Sequence, residues 1–282
     1  MFNYNSTMKL NTNNGVSYLT FNELSKYSFI NHAFSTRLGG VSENEFSSMN
    51  LSFNRGDPDE NVLENYKRFC KAAGFDFNTL VASAQDHNTN IRDVTSNDVG
   101  IGIWKEKDQK SVDGLITNKP GVTLVTYFAD CTPLFFLDPY KRVIGLAHAG
   151  WRGTVSLMAN KMVEKMCNQY GCNVNDIICC IGPSIGPCCY EVDKPVYDEF
   201  CSIPKIDHRL IAAKKENGKY IVSLWNANKQ ILLQSGIRQS NIIVGEVCTS
   251  CNSDLLFSHR RTSGKRGGMV AMMSIQEQLW KL

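Results

Sequence analysis

Three side chains in this 282-residue chain carry the chemistry to hold a metal ion and occupy comparable places. His87 ends Gln85-Asp86-His87, Cys131 lies in Ala129-Asp-Cys-Thr-Pro-Leu134, and His148 opens His148-Ala-Gly-Trp-Arg-Gly153. Each follows a short apolar run, residues 80–84, 122–128 and 143–147, that reads as a strand. Residues just past strand ends are where open α/β sheets present ligands. Two imidazoles and a thiolate suit Zn²⁺, and catalytic zinc takes three protein ligands and keeps a fourth position for water or substrate. A turn at Asp138-Pro139 would fold residues 131–148 into a hairpin and bring Cys131 to His148. Three other readings stay open for the same residues. Cys131 could be a metal-free nucleophile with His148 as its base, or the set could hold copper, or the three could be ordinary packing in a binding module.

The elements that must position them alternate irregularly. Strands are expected at 16–21, 30–35, 114–117, 134–138, 177–181, 219–223, 242–245 and 269–274 as well. Helices are expected at 58–73, where Val62, Tyr66 and Phe69 share a face, at 154–169, where Leu157, Met162 and Met166 do, and at 195–200 and 225–235. The rest of residues 1–30 reads as irregular. The runs at 122–128 and 143–147 are almost wholly apolar, as strands covered on both faces are. Such a mixture predicts a single-domain α/β (α+β) fold with a mixed sheet. Residues 42–59 are dense in Ser, Asn, Gly, Asp and Pro, and a loop of that length inside a domain is usually functional. No GxGxxG or Walker A loop supports a dinucleotide or P-loop fold.

Composition narrows the class. The net charge is +3, from 30 basic and 27 acidic residues, so no nucleic-acid or membrane footprint is expected. The polar, Asn-rich start lacks the apolar core of a secretory signal and no run is long enough to span a bilayer, so the expected location is cytoplasmic. The odd number of cysteines, eleven, then predicts reduced thiols, mostly small packing residues. Cys248-Thr-Ser-Cys251 invites a zinc or redox reading but lacks a second CxxC, and the pairs Cys179-Cys180 and Cys188-Cys189 read as packing.

Several blocks carry a family resemblance: Phe34-Ser-Thr-Arg-Leu-Gly-Gly40, Met49-Asn-Leu51, Gly56-Asp57, Gln85-Asp-His87, Asp113-Gly114, Ala129-Asp-Cys-Thr-Pro-Leu134, His148-Ala-Gly-Trp-Arg-Gly153, Ile181-Gly-Pro-Ser-Ile-Gly-Pro187 and Phe257-Ser-His-Arg-Arg261. In this order they resemble the YfiH/YlmD family, which long carried a polyphenol oxidase or laccase label. The resemblance implies a mixed-sheet sandwich, with residues 1–28 as an N-terminal extension and 29–282 as a YfiH-like catalytic domain. It also implies zinc held by His87, Cys131 and His148, which are then the catalytic residues, and purine nucleoside phosphorylase activity on adenosine, inosine and methylthioadenosine with adenosine deaminase activity besides. Some members are instead called peptidoglycan editing factors, and copper is the less favoured metal.

Phosphorolysis needs an anion site, and a guanidinium forks onto two phosphate oxygens. Arg37, Arg152 and Arg260, in that order, are the phosphate candidates, ahead of Arg55 and Arg261. Asn50 and Gln85 are candidates for sugar or base, and Asp130 for orienting a ligand or capping a turn. The partners expected are therefore a purine nucleoside and phosphate, with oligomeric state open. The sequence departs from the family pattern at Asp86 and Asn88, which flank His87, at His259, where tyrosine is common, and at Arg266-Gly-Gly-Met269.

Overall fold

A computed structural model describes residues 7–107 and 111–276. Two six-stranded sheets face each other. The first runs Met8–Asn13, Val16–Phe21, Ile30–Ser35, Met269–Ile275, Thr123–Phe128, Leu80–Ala82, antiparallel except for its last pair. The second runs Ile242–Val244, Ile178–Ile181, Thr132–Asp138, Val143–Ala149, Val112–Thr117, Asn90–Asp93, with a parallel pair at each edge. A three-stranded sheet of Glu191–Val192, Tyr220–Val222 and Ala212–Lys214 stands apart from both.

Both large sheets are covered on both faces, which explains their apolar runs. Phe21, Phe34, Leu124 and Met273 from the first meet Leu115, Phe135, Ile144 and Cys180 from the second in one apolar layer. Outside the first sheet lies the helix Asp59–Ala73, which sets Val62, Tyr66 and Phe69 against Ala33, Val125 and Met272. Acidic Asp59 and Glu60 stand in its first turn and Gly74, at φ 75°, ends it, as the helix dipole and a left-handed cap favour. Outside the second sheet, Met162 and Met166 of the helix Met158–Tyr170 and Ile231 of the helix Leu224–Gln234 pack on Ile116, Phe136 and Cys179. The result is a helix–sheet–sheet–helix sandwich, the single mixed α/β domain expected. Cys179 and Cys180 are packing residues on opposite faces of one strand, and every cysteine is a free thiol. Among the described residues no helix is long and apolar enough to cross a membrane.

Two differences from the sequence expectations have physical causes. Residues 8–21, read as part of an extension with one short strand, form a two-stranded ribbon that completes the first sheet and buries Met8, Leu19 and Phe21. No gap separates them from the rest of the core; residues 1–6 lie outside the described residues. Met8–Asn13 was hidden because it is an edge strand whose other side chains are polar or half-exposed. The helix expected at 154–169 is two, Trp151–Val155 and Met158–Tyr170, broken where Leu157 turns left-handed at φ 63°. Starting the first at Trp151, straight after extended Gly150, turns the indole toward the cavity described below.

Deleting residues 1–28 should therefore be severe. Losing buried side chains such as Leu19 and Phe21 costs about 2–5 kcal/mol each and leaves Ile30–Ser35 as a bare edge. Thermal unfolding of the truncated chain should show no cooperative transition at the position of the full chain; an unchanged melting curve would mean these strands are dispensable.

Candidate metal centre

The hairpin at Asp138-Pro139 forms as expected, with Pro133 opposite His148 and Thr132 opposite Ala149. Cys131 precedes the first strand of this hairpin and His148 is the penultimate residue of the second, so pairing alone makes them neighbours. His87 arrives from the loop after Leu80–Ala82, in a left-handed conformation at φ 70°. The three donor atoms all lie within 4.8 Å of one another. Cys131 Sγ is 3.8 Å from His87 Nε2, and the two imidazoles sit edge to face at 4.9 Å between ring centres.

The group that arranges them is Asp113, fully buried inside the strand Val112–Thr117. Its Oδ1 lies 2.7 Å from His148 Nδ1 and accepts the His87 backbone N–H at 3.1 Å. Its Oδ2 accepts from the N–H groups of Asp86 at 3.2 Å and Asn88 at 2.9 Å. An ionised carboxylate only accepts, so His148 carries a proton on Nδ1, and Nε2 is the nitrogen left to face the site. Burial works against the charge, but His148 and these amides outweigh it and hold Asp113 below the usual carboxylate range. The residues flanking His87 thus serve through their backbone. The Asp86 side chain bonds Ser111 Oγ instead, and Asn88 Oδ1 accepts from Thr89 N–H.

Burial opposes ionisation of the Cys131 thiol, yet the facing His148 and His87 imidazoles prevail and bring it down to about 6. Burial likewise opposes the His148 imidazolium, and Cys131 and Asp113 overcome it and raise the group. A thiolate and two imidazoles at this spacing fit a tetrahedral ion: Zn–S and Zn–N bonds set sulfur and nitrogen about 3.5 Å apart. A ligating histidine also commonly gives its other N–H to a carboxylate, as His148 does to Asp113. Gly150 keeps the space open. A Cβ there would stand 2.9 Å from Cys131 Sγ and 3.0 Å from His87 Cδ2.

The donors open into a cavity of about 830 Å³. Its walls hold the aromatics Phe53, Tyr127, Trp151 and Tyr190, and the cations Arg55, Lys107, Arg260 and Arg266 with His259. Arg266 is buried, spends Nη1 on the Gly267 carbonyl at 3.0 Å, and has no partner for Nε among the described residues. Burial and the neighbouring Arg55 pull it down to about 10, so it keeps its charge at neutral pH. Burial, then Arg266, also lower His259.

The other expected residues divide. Gln85 lines the cavity, but its amide brackets Tyr127, accepting from the N–H at 2.6 Å and donating to the carbonyl at 2.9 Å. Arg260 lines it too, donating Nη1 to the Glu191 carbonyl at 2.7 Å. Arg37, the first phosphate candidate, is not among the lining residues. Its guanidinium donates to the Ser47 and Ser253 carbonyls and lies over Phe257. Arg152 is exposed and folds over the Trp151 ring, and is not among the lining residues. Asn50 is wholly buried, tying Asp57 and Ser52 to Gly268. Asp130 orients neither histidine. It accepts from Thr249 Oγ1 and from Arg260 N–H, both at 2.6 Å, and so joins the Cys131 turn to the short helix His259–Thr262. The carboxylate role expected of it belongs to Asp113, whose signal in the sequence was an aspartate inside an otherwise apolar strand. Arg266 and His259, seen before only as departures from a pattern, are wall residues, and the loop at 42–59 supplies Ser52, Phe53 and Arg55.

Fold and site together define a four-layer α/β sandwich protein with a His–Cys–His donor set in the wall of a cationic, aromatic cavity. The chain belongs to the family described as multi-copper polyphenol oxidoreductase laccase, whose family model matches residues 31–276. It is 37% identical over 245 residues to purine nucleoside phosphorylase YlmD of Bacillus subtilis, covering 86% of this chain and 88% of that one. Adenosine deaminase RL5, from an unknown prokaryotic organism, is 32% identical over 231 residues, or 81% and 88% of the two chains. Among solved structures, the Bacillus licheniformis hypothetical protein YfiH superposes with a TM-score of 0.89 at 34% identity, over 95% of this chain and 99% of that one.

Two substitutions probe the arrangement. Asp113→Asn presents an amide donor to backbone donors and should lower metal affinity by about 10–100-fold, read by competition with a chromophoric chelator. Gly150→Ala drives a methyl between Cys131 and His87 and should weaken binding in the same assay while leaving the far-UV circular dichroism intact. Wild-type affinity in both would remove the carboxylate clamp from the account.

Proposed function

We propose that this chain is a zinc-dependent purine nucleoside phosphorylase acting on adenosine, inosine and methylthioadenosine, with adenosine deaminase activity at the same centre. The observation that carries the reading is one cavity holding a three-donor metal site and a buried arginine with an unpartnered Nε. Phosphorolysis joins a phosphate oxygen to C1′ of the ribose, breaks the bond to the purine nitrogen, and passes the phosphate proton to the leaving base. Arg266 and Arg55, with Arg260, form a cationic wall suited to the phosphate, replacing Arg37 and Arg152 as the favoured residues. Trp151, Tyr127 and Tyr190 offer faces for a purine. Zinc held by His87, Cys131 and His148 supplies a Lewis acid that polarises an oxygen or acidifies a water. Asp113 holds a proton on His148 Nδ1, so Nε2 is the nitrogen that would bind the metal. Deamination replaces the C6 amine with oxygen from water and releases ammonia. The glutamate partner of cytidine-type zinc deaminases has no counterpart beside His87 or His148, so the proton carrier differs.

The residues fit zinc better than a copper cluster. Of the five histidines, His32 accepts the Phe21 N–H and His208 bonds the Ile203 carbonyl. A multicopper cluster with an electron-entry site needs more imidazoles than remain.

A second reading has its own support. Cys131, His148 and Asp113 stand in the order nucleophile, base and orienting carboxylate, with a thiol already brought to about 6. That is the arrangement of a metal-free cysteine hydrolase.

The purified chain should release free base from adenosine, inosine or methylthioadenosine only when phosphate is present, and ammonia from adenosine alone. Cys131→Ala should abolish both. Arg266→Met should raise the KM for phosphate about tenfold or more, since a hydrogen bond to a charged group is worth about 1.5–3 kcal/mol. Activity that survives complete removal of metal by chelation would transfer the site to the cysteine reading, and absence of phosphate-dependent base release would end the phosphorylase reading.

A further inference from the structure

The parallel strands Ile178–Ile181 and Ile242–Val244 are adjacent, so the loops that follow them leave the sheet at the same end. They run side by side there. Ser184 donates its N–H to the Val247 carbonyl at 3.1 Å, and Thr249 donates back to Ser184 at 3.0 Å. This pairing lays Cys188-Cys189 against Cys248-Thr-Ser-Cys251. The vicinal pair, read from sequence as packing, stands where a second CxxC was missing.

All four sulfurs lie within 4.8 Å of one another. Cys188 and Cys189 are each 3.4 Å from Cys251, and four thiolates around one tetrahedral zinc stand about 3.8 Å apart. That spacing takes a single ion, not a multi-iron cluster whose thiolates reach separate irons. The surroundings suit thiolates. The Gly186 and Cys251 backbone N–H groups approach Cys248 Sγ at 3.2 and 3.5 Å, donors that stabilise anionic sulfur. Gly186 must be glycine for this, since a Cβ would meet Trp225 at 2.7 Å and Cys248 Cβ at 3.1 Å. Cys188 and Cys251 are exposed, so an ion can enter without unfolding.

From this geometry we propose a second metal site, a tetrathiolate zinc centre of Cys188, Cys189, Cys248 and Cys251, separate from the His–Cys–His set. Binding releases up to four thiol protons and leaves a centre of net charge −2. With four protein ligands and no open position its role is structural. It staples the loop that carries Ile185 and Tyr190 to the loop that Asp130 grips through Thr249, fixing one wall of the cavity.

The test uses the full chain as His87→Ala/Cys131→Ala, which dismantles the other donor set, purified untagged under reducing conditions without chelator. Elemental analysis should find about one zinc per chain. Cobalt exchanged into the same protein should give the thiolate charge-transfer and intense visible bands of an all-sulfur tetrahedral site. Adding Cys188→Ser and Cys251→Ser should remove the zinc and both absorptions. Zinc near zero in the first variant, or peptide mapping that finds a disulfide among these cysteines in freshly reduced protein, overturns the proposal. Neither result touches the phosphorylase reading, which is decided by base release from the wild-type chain.

Discussion

A single buried carboxylate, Asp113, organises the centre of this molecule. Its four hydrogen bonds reach a histidine on the neighbouring strand and three consecutive backbone amides of a loop. The loop has no regular partner of its own across residues 86–88, so the carboxylate supplies what a sheet would otherwise supply. It also forces a strained backbone at His87 to persist, since φ 70° is costly for a residue with a Cβ. The same atom fixes the tautomer of His148. Position of one donor and protonation of another therefore descend from one charge, held ionised by the bonds it accepts. Removing that charge would leave buried donors facing one another, a larger penalty than losing a single hydrogen bond.

The sandwich makes this carboxylate tolerable. Each large sheet is covered on both faces, which leaves the strand ends as the place where polar side chains converge. Hairpin register delivers Cys131 beside His148, pairing Pro133 with His148 and Thr132 with Ala149. Loops from several parts of the chain then close around the strand ends. Asp130, Asn50 and Gln85 act as ties within and between those loops, each spending its polar atoms on backbone and side-chain partners.

Much of this architecture was legible in the sequence, and the boundary of legibility is physical. Buried strands and amphipathic helices announce themselves through apolar runs and a 3.6-residue period, and a proline turn between two apolar runs announces a hairpin; the trio His87, Cys131 and His148 was visible for that reason. Residue type alone cannot say which of several arginines is satisfied. Arg37 and Arg266 look alike in sequence, yet one lies against backbone carbonyls and Phe257 while the other keeps Nε unpartnered beside the cavity. Asp130 and Asp113 pose the same problem, because the partner of a buried carboxylate is set by tertiary pairing. The approach of Cys188-Cys189 to Cys248 and Cys251 depends on two parallel strands more than 60 positions apart, information no local spacing holds. The polar edge strand Met8–Asn13 and the left-handed break at Leu157 are tertiary choices as well.

The strand Met269–Ile275 sits in the interior of the first sheet, between Ile30–Ser35 and Thr123–Phe128. On the ribosome, the ribbon formed by the early residues and the strand at 123–128 must wait, with two open edges, until residue 275 has been made. Long-range pairing of this kind is slow and leaves unpaired edges open to other chains. The cavity inherits the delay, since Arg266 and Gly268 immediately precede that strand. A nascent chain stalled shortly before this point would carry His87, Cys131 and His148 yet lack the plank that locks the first sheet. Assembly of the site is thereby coupled to nearly the last step of the domain's synthesis.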